Sequence, residues 1–229
     1  MRIGVLLCDE FRPEYVAMHG DYPSMLTGLM PKVNHKVYFA FKNDLPRTAQ
    51  ECDAWMISGS RSSVYEFTPW ILNLMKLVRQ IHEHRIPCLG ICFGHQLIAE
   101  SLGGKVEKAP NGWCVGIHKY DVTLKKDWMS PISQNLNLLM MCQDQVSRLP
   151  EEASLLAKSE ESPVAMYSIG EHILALQGHP EFTKGYVRSL IEDRSDRISP
   201  EKSKKAIQSL NGDHDNHLFK EWVKLYFSS

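Results

Sequence analysis

The sequence predicts an α/β fold, a three-layer α/β/α sandwich around a mixed, mostly parallel sheet, and two patterns carry that prediction. In the first half of the chain, short apolar runs bounded by turn residues alternate with stretches whose apolar residues recur at three and four. Such alternation builds a parallel sheet covered by helices on both faces. Beyond residue 106 short strands separated by turns take over, so the sheet is expected to continue with mixed or antiparallel pairing.

Taken in order, the runs at 2–8, 36–41 and 54–57 read as buried strands. Residues 22–30 have helical spacing, and Trp70, Ile71, Leu74, Met75, Leu77, Val78 and Ile81 define an amphipathic helix. A strand at 88–91 and a helix at about 95–102 follow, and Gly103-Gly104 suits a left-handed helix stop. Short strands are expected at 120–124, 138–141, 154–157, 164–169 and 172–176, then a helix at 184–193. Ser199-Pro200-Glu201 combines an N-cap, a first-turn proline and an acid, which opens another helix. Leu218, Phe219, Trp222, Val223, Leu225 and Tyr226 mark a final amphipathic helix. The division expected is a catalytic domain over 1–193 and a helical extension over 194–229 packed on it.

At 229 residues and 43% hydrophobic, the chain can bury one sizeable core. Lys and Arg total 26 against 27 Asp and Glu, so no global field draws it to nucleic acid or acidic lipid. No apolar run approaches the roughly 20 residues that span a bilayer, and a cytoplasmic location is expected. The six cysteines are scattered without CxxC spacing, which reads as free thiols.

One cysteine stands apart. The segment GICFGHQ at 90–96 places Cys92 between two glycines at a strand-to-helix junction, the form of a nucleophile elbow. So sharp a turn strains the central residue, and small neighbours let strand and helix approach. The thiol then stands over the sheet edge at a helix N-terminus, which favours thiolate. The N–H of Phe93 points into the same space.

A nucleophile needs a base, and ten histidines are available. His82 and His84 read as solvent-exposed, and His95 as a packing or capping residue of the elbow helix. His214 and His217, in DHDNH at 213–217, read as part of a helix cap rather than as metal ligands. His179 differs: it follows a strand in QGHPEF at 177–182, and Pro180 imposes an extended step that sends His179 and Glu181 to one side. A carboxylate so placed can hold one imidazole nitrogen while the other faces a thiol.

These motifs, with ISGSRSSVYE at 57–66, AESLGGKVEKAPNGWCVG at 99–116 and CQDQV at 142–146, resemble the class I, or triad, glutamine amidotransferases. Within that family the resemblance is to the stand-alone branch similar to GMP synthase glutaminase domains and γ-glutamyl peptidases, and it covers roughly 1–193. It implies a flavodoxin-like sheet in which Cys92 attacks a γ-glutamyl carbonyl, His179 activates the thiol and protonates the departing amine, and Glu181 orients His179. Backbone N–H groups of Phe93 and Ser60 would bind the oxyanion; the family often has two glycines where this chain has Gly59-Ser60. Gly59 and Gln96 would contact the substrate. Asp144 either binds the substrate ammonium or caps a turn, and Cys142 stands where the family has histidine. No cofactor and no metal are implied.

Three functions are compatible with these residues. Hydrolysis of the glutamine amide would require a synthase partner to receive the ammonia. A γ-glutamyl peptidase acting on glutathione-like compounds would work alone, and Gly112-Trp113 with the appended helices favour that branch. A redox-sensing cysteine protein would need no histidine–acid pair.

Overall fold

The computed structural model describes residues 1–228. β1 (Arg2–Leu7), α1 (Pro13–His19), α2 (Tyr22–Thr27), β2 (Asn34–Phe39), β3 (Ala54–Ile57), α3 (Pro69–Glu83), β4 (Cys88–Ile91) and α4 (Phe93–Ser101) form the first half. Then come β5 (Lys105–Lys108), β6 (Cys114–Val122), β7 (Asn135–Cys142), β8 (Asp144–Arg148), β9 (Ala153–Lys158), β10 (Met166–Ile169) and β11 (Ile173–Leu176). Helices α5 (Lys184–Asp193), α6 (Pro200–Ser209) and α7 (Asn216–Tyr226) complete the chain. None of the described helices is long and apolar enough to cross a membrane.

Among the described residues, nine strands form one sheet in the order β2-β1-β3-β4-β11-β10-β9-β6-β7. The pairs from β2 through β11 are parallel, and those from β11 through β7 are antiparallel. The strands of the parallel half are short and apolar because both faces are covered. Alternation along β1 shows this: Ile3, Val5 and Leu7 enter one core with Tyr22, Val187 and Trp222, whereas Leu6 enters another with Leu74, Val78 and Leu97. Helices α1, α2, α5, α6 and α7 thus cover one face, and α3 and α4 the other, which gives three layers.

The structure departs from the sequence expectation mainly at polar strands. β5, KVEK, buries only Val106, and it pairs with β8 in a separate two-stranded sheet. β6 begins at Cys114 rather than 120, because half-exposed His118 and exposed Lys119 interrupt its apolar signal. α1 buries only Tyr15 and has no apolar stripe to betray it.

Helix α6 opens as expected, with the Ser199 side chain accepting from the Lys202 N–H. Helix α7 buries Phe219, Trp222, Val223 and Tyr226 against the sheet, and the Trp222 indole N–H donates to Pro131 O at 2.9 Å. Trp222 fills the centre of this face. Trp222→Ala is expected to lower the unfolding free energy in urea by about 3–5 kcal/mol, and a loss below about 1 kcal/mol would show that α7 docks loosely.

Candidate active site

The site begins where β4 stops. Cys92 joins the buried strand to α4 with φ 51° and ψ −100°, a conformation that side chains rarely adopt. Three backbone bonds impose it. The Cys92 N–H donates to Leu176 O at 2.8 Å, the Gly94 N–H to Ser58 O at 3.1 Å, and the Gln96 N–H to Cys92 O at 3.0 Å. The flanking glycines are sterically required: a Cβ on Gly90 would lie 2.7 Å from Gly94 O, and one on Gly94 2.5 Å from Ile57 O.

Topology brings the other motif to the same edge. β11 pairs with β4 in parallel, Leu176 opposite Ile91, so the segments leaving their C-terminal ends emerge side by side. The His179 N–H donates to Leu139 O at 2.8 Å, and the His179 Nδ1–Glu181 Oε1 distance is 2.8 Å, with both side chains buried. Cys92 lines the same pocket as His179. Burial alone would push His179 down; the Glu181 charge, then neighbouring Cys92, outweigh it and push it up to about 10. His179 therefore holds its proton near neutrality.

Residues remote in sequence brace this pair. Phe182 stacks on the imidazole at 3.9 Å between centroids, and Asn216, the first residue of α7, donates to His179 O and Phe182 O. Tyr22 OH accepts the Gly59 N–H at 2.8 Å and lies 3.5 Å from Glu181 Oε1. Neither Tyr22 nor Asn216 carries a motif, so sequence reading missed them. Gly59 sits at the meeting point, since a Cβ there would lie 3.0 Å from His179 Cε1 and 3.6 Å from Cys92 Cβ.

The remaining expected residues surround a pocket of about 620 Å³ lined by Cys92, His179, Gly59, Ser60, Gln96 and Asp144, among others. The N–H groups of Ser60 and Phe93 have no hydrogen-bond partner among the described residues. Gln96 Nε2 donates to Asp144 O and to Gln177 Oε1. The Asp144 carboxylate accepts from Ser63 Oγ at 2.5 Å and Tyr65 OH at 2.8 Å, so it ties two loops together rather than capping a turn. Cys142 also lines the pocket.

Comparison with known proteins places this geometry. The glutamine amidotransferase class-I family model matches residues 30–194. Gamma-glutamyl peptidase 4 of Arabidopsis thaliana is 38% identical over 158 residues, 65% of this chain and 60% of that one. A GMP synthase [glutamine-hydrolyzing] of Clostridium kluyveri is 39% identical over 132 residues, 55% of this chain and 24% of that one. The crystal structure of a glutamine amidotransferase from Thermotoga maritima superposes with a TM-score of 0.80 at 20% identity, covering 100% of this chain and 98% of that one. The chain belongs to the class-I glutamine amidotransferase family. It spans about three fifths of the length of the peptidase it matches.

Other histidines settle into structural roles. His95 is buried against Tyr167 and pushed down to about 3 by that burial, so it is neutral. His82 is half-buried and paired with His172 at 3.1 Å, unlike the exposed residue expected, because β11 is reached through His172 directly beneath α3. Half-buried His214 accepts the Asn216 N–H at the start of α7 at 3.4 Å, so the cluster caps the helix as expected through His214, while the Asp215 carboxylate accepts from the Asn137 N–H.

A second cluster was not foreseen. Cys114, His118 and Glu161 bring one ligand atom each within 4.8 Å of one another. His118 Nδ1 lies 2.6 Å from Glu161 Oε2 and Nε2 lies 2.9 Å from Val115 O, while Cys114 Sγ stands 3.5 and 3.6 Å from the two nitrogens. The sulfur thus faces the ring between the nitrogens, not along a lone pair, and a proton on the imidazole satisfies the group without a metal. Cys142, opposite it on β7, and then His118 bring Cys114 down to about 6 against its burial, and Cys114 with Val115 O and Glu161 brings His118 up to about 9 against its own.

The two shifts act on stability in opposite directions. Depression of Cys114 from 9.0 to about 6 stabilises the fold fully above pH 9 and is lost as pH falls through 6. Elevation of His118 from 6.5 to about 9 stabilises it fully below pH 6.5 and is lost as pH rises through 9. A thiolate–imidazolium pair binds the same single proton as a neutral thiol and imidazole, so the two shifts nearly cancel between pH 6.5 and 9, and near neutral pH Cys114→Ala and His118→Gln together should cost less in urea unfolding than the sum of their separate costs. Costs that simply add would mean that the two side chains do not interact.

Proposed function

We propose that this protein hydrolyses a γ-glutamyl amide bond through a thioester on Cys92, with His179 and Glu181 completing the triad. The observation that carries this reading is the His179 imidazole held at 2.8 Å by Glu181 in the pocket that Cys92 also lines, with the N–H groups of Ser60 and Phe93 unpaired among the described residues. The Cys92 thiolate attacks the γ-carbonyl carbon, and the two N–H groups donate to the oxyanion that forms. Collapse breaks the C–N bond as the His179 proton passes to the departing amine. Water then gives a proton to His179 and attacks the thioester, and Cys92 leaves as thiolate. Glu181 keeps the Nδ1–H aligned throughout. Residues 1–193 carry this chemistry, and 194–229 form the extension that braces it through Asn216.

Two substrates fit the mechanism. Glutamine would release ammonia, and a synthase partner chain would be needed to receive it. A γ-glutamyl peptide would release a larger amine, and the pocket volume, within the range of drug-sized ligands, leaves room for that group beside the glutamyl portion. The similarity to gamma-glutamyl peptidase 4 supports the second reading. A thiol serving only as an oxidation sensor would have no use for a buried, carboxylate-held imidazole.

Glutamine, glutathione and a γ-glutamyl anilide, each incubated with wild type and Cys92→Ser, separate these readings. Turnover of at least one by wild type and none by the variant is expected, whereas equal turnover by both would reject Cys92 as nucleophile. His179→Ala should lower kcat/KM about 10²–10⁴-fold, and Glu181→Gln less. Full turnover in His179→Ala would refute the assigned triad.

A further inference from the structure

One wall of the pocket holds a cation without an anion. Arg194 directly follows α5 and lines the pocket with Cys92, His179 and Trp113. Its guanidinium lies 5.5 Å from the centroid of the Trp113 ring and has no ion-pair partner among the described residues. Asp193, the adjacent carboxylate, is held instead by Arg12 at 2.5 Å. The other acids of the lining are engaged as well: Asp9 by Arg61, Glu10 by Lys42, Glu66 by the Ser63 N–H, and Asp144 by Ser63 and Tyr65.

This arrangement is built, not incidental. The Trp113 carbonyl is fixed by Lys202 of α6 at 3.0 Å, and Lys202 also donates to Asn111 O, so the extension sets the position of the ring on which Arg194 rests. Burial works first against the charge of Arg194, and the like charge of Arg197 adds to it. A partly buried guanidinium keeps its charge and five donors in a planar fork, which matches a carboxylate. An arriving anion would relieve both penalties.

The location indicates which end of the substrate supplies that anion. Gln96, Asp144, Ser63 and Tyr65 form one hydrogen-bonded group, whose amide and carboxylate oxygens suit the ammonium of a glutamyl moiety. Arg194 belongs to the helix entered from His179 through Phe182 and Tyr186, the wall of the imidazole that protonates the leaving amine. Ammonia, the leaving group from glutamine, carries no carboxylate for Arg194 to hold.

Resting on Cys92 as nucleophile, we propose that Arg194, backed by Trp113, anchors a carboxylate on the leaving-amine portion of the substrate, which makes the preferred substrate a γ-glutamyl peptide with a free C-terminus.

The test compares glutathione with its C-terminal amide on wild type, Arg194→Gln and Arg194→Lys, with thermal melts to establish that each variant is folded. Wild type should favour the acid by about tenfold or more in kcat/KM, the value of one charge-assisted pair. In Arg194→Gln the acid-to-amide ratio should fall toward one, with the loss in KM rather than kcat, and Arg194→Lys should keep part of the preference. A ratio unchanged by Arg194→Gln, or an equal loss for acid and amide, overturns the proposal. Calorimetric binding of the same two peptides to Cys92→Ser, with and without Arg194→Gln, reads the anchor separately from turnover. Preferential acid binding that requires Arg194, without turnover by wild type, would retain the anchor and reject the hydrolytic reading; equal binding of acid and amide would reject the anchor.

Discussion

The strained backbone of Cys92 is the constraint on which the site depends. A φ of 51° at a residue with a side chain costs on the order of 1–3 kcal/mol, and the surroundings leave no alternative. The Cys92 N–H completes the β4–β11 pairing, its carbonyl starts α4, and Gly94 is bonded to the loop after β3. Relaxing Cys92 would break contacts in three elements at once. The same bonds put the Phe93 N–H and the 58–60 loop together, so the strain at Cys92 and the meeting of these two segments have one origin.

The imidazole is held by a different logic. Beyond the Pro180 step and the His179–Glu181 contact, the placement of residues 177–182 comes from β7 through Leu139, from α7 through Asn216, and from α2 through Tyr22. These ties reach across the face that α5, α6 and α7 cover. The C-terminal helices are therefore part of the site's rigidity: Asn216 holds the loop of the imidazole, and Lys202 holds the loop of Trp113. Damage to their packing should reach the chemistry before it unfolds the sheet.

Legibility in the sequence followed physical locality. The buried strands at 54–57 and 88–91 and the stripe on α3 were readable because their burial pattern repeats along the chain itself. Cys92, His179 and Glu181 were readable because elbow glycines and a proline constrain their immediate neighbours. Tyr22, Asn216 and Arg194 were not, since each acts through a contact made only when distant elements pack. The Cys114–His118–Glu161 cluster was hidden for the same reason, its carboxylate arriving from the loop after β9. Gln96 lines the pocket, yet its two amide hydrogens are spent on Asp144 and Gln177, which periodicity could not have revealed.

The central claim is that Cys92 carries the γ-glutamyl group during the reaction. Rapid acid quench of the protein during turnover of a γ-glutamyl anilide, followed by intact-mass measurement and peptide mapping, tests it directly. The account predicts a mass gain of one γ-glutamyl group on the peptide containing Cys92, which disappears as substrate is exhausted. A label on another cysteine such as Cys114, with Cys92 unmodified throughout turnover, would contradict it.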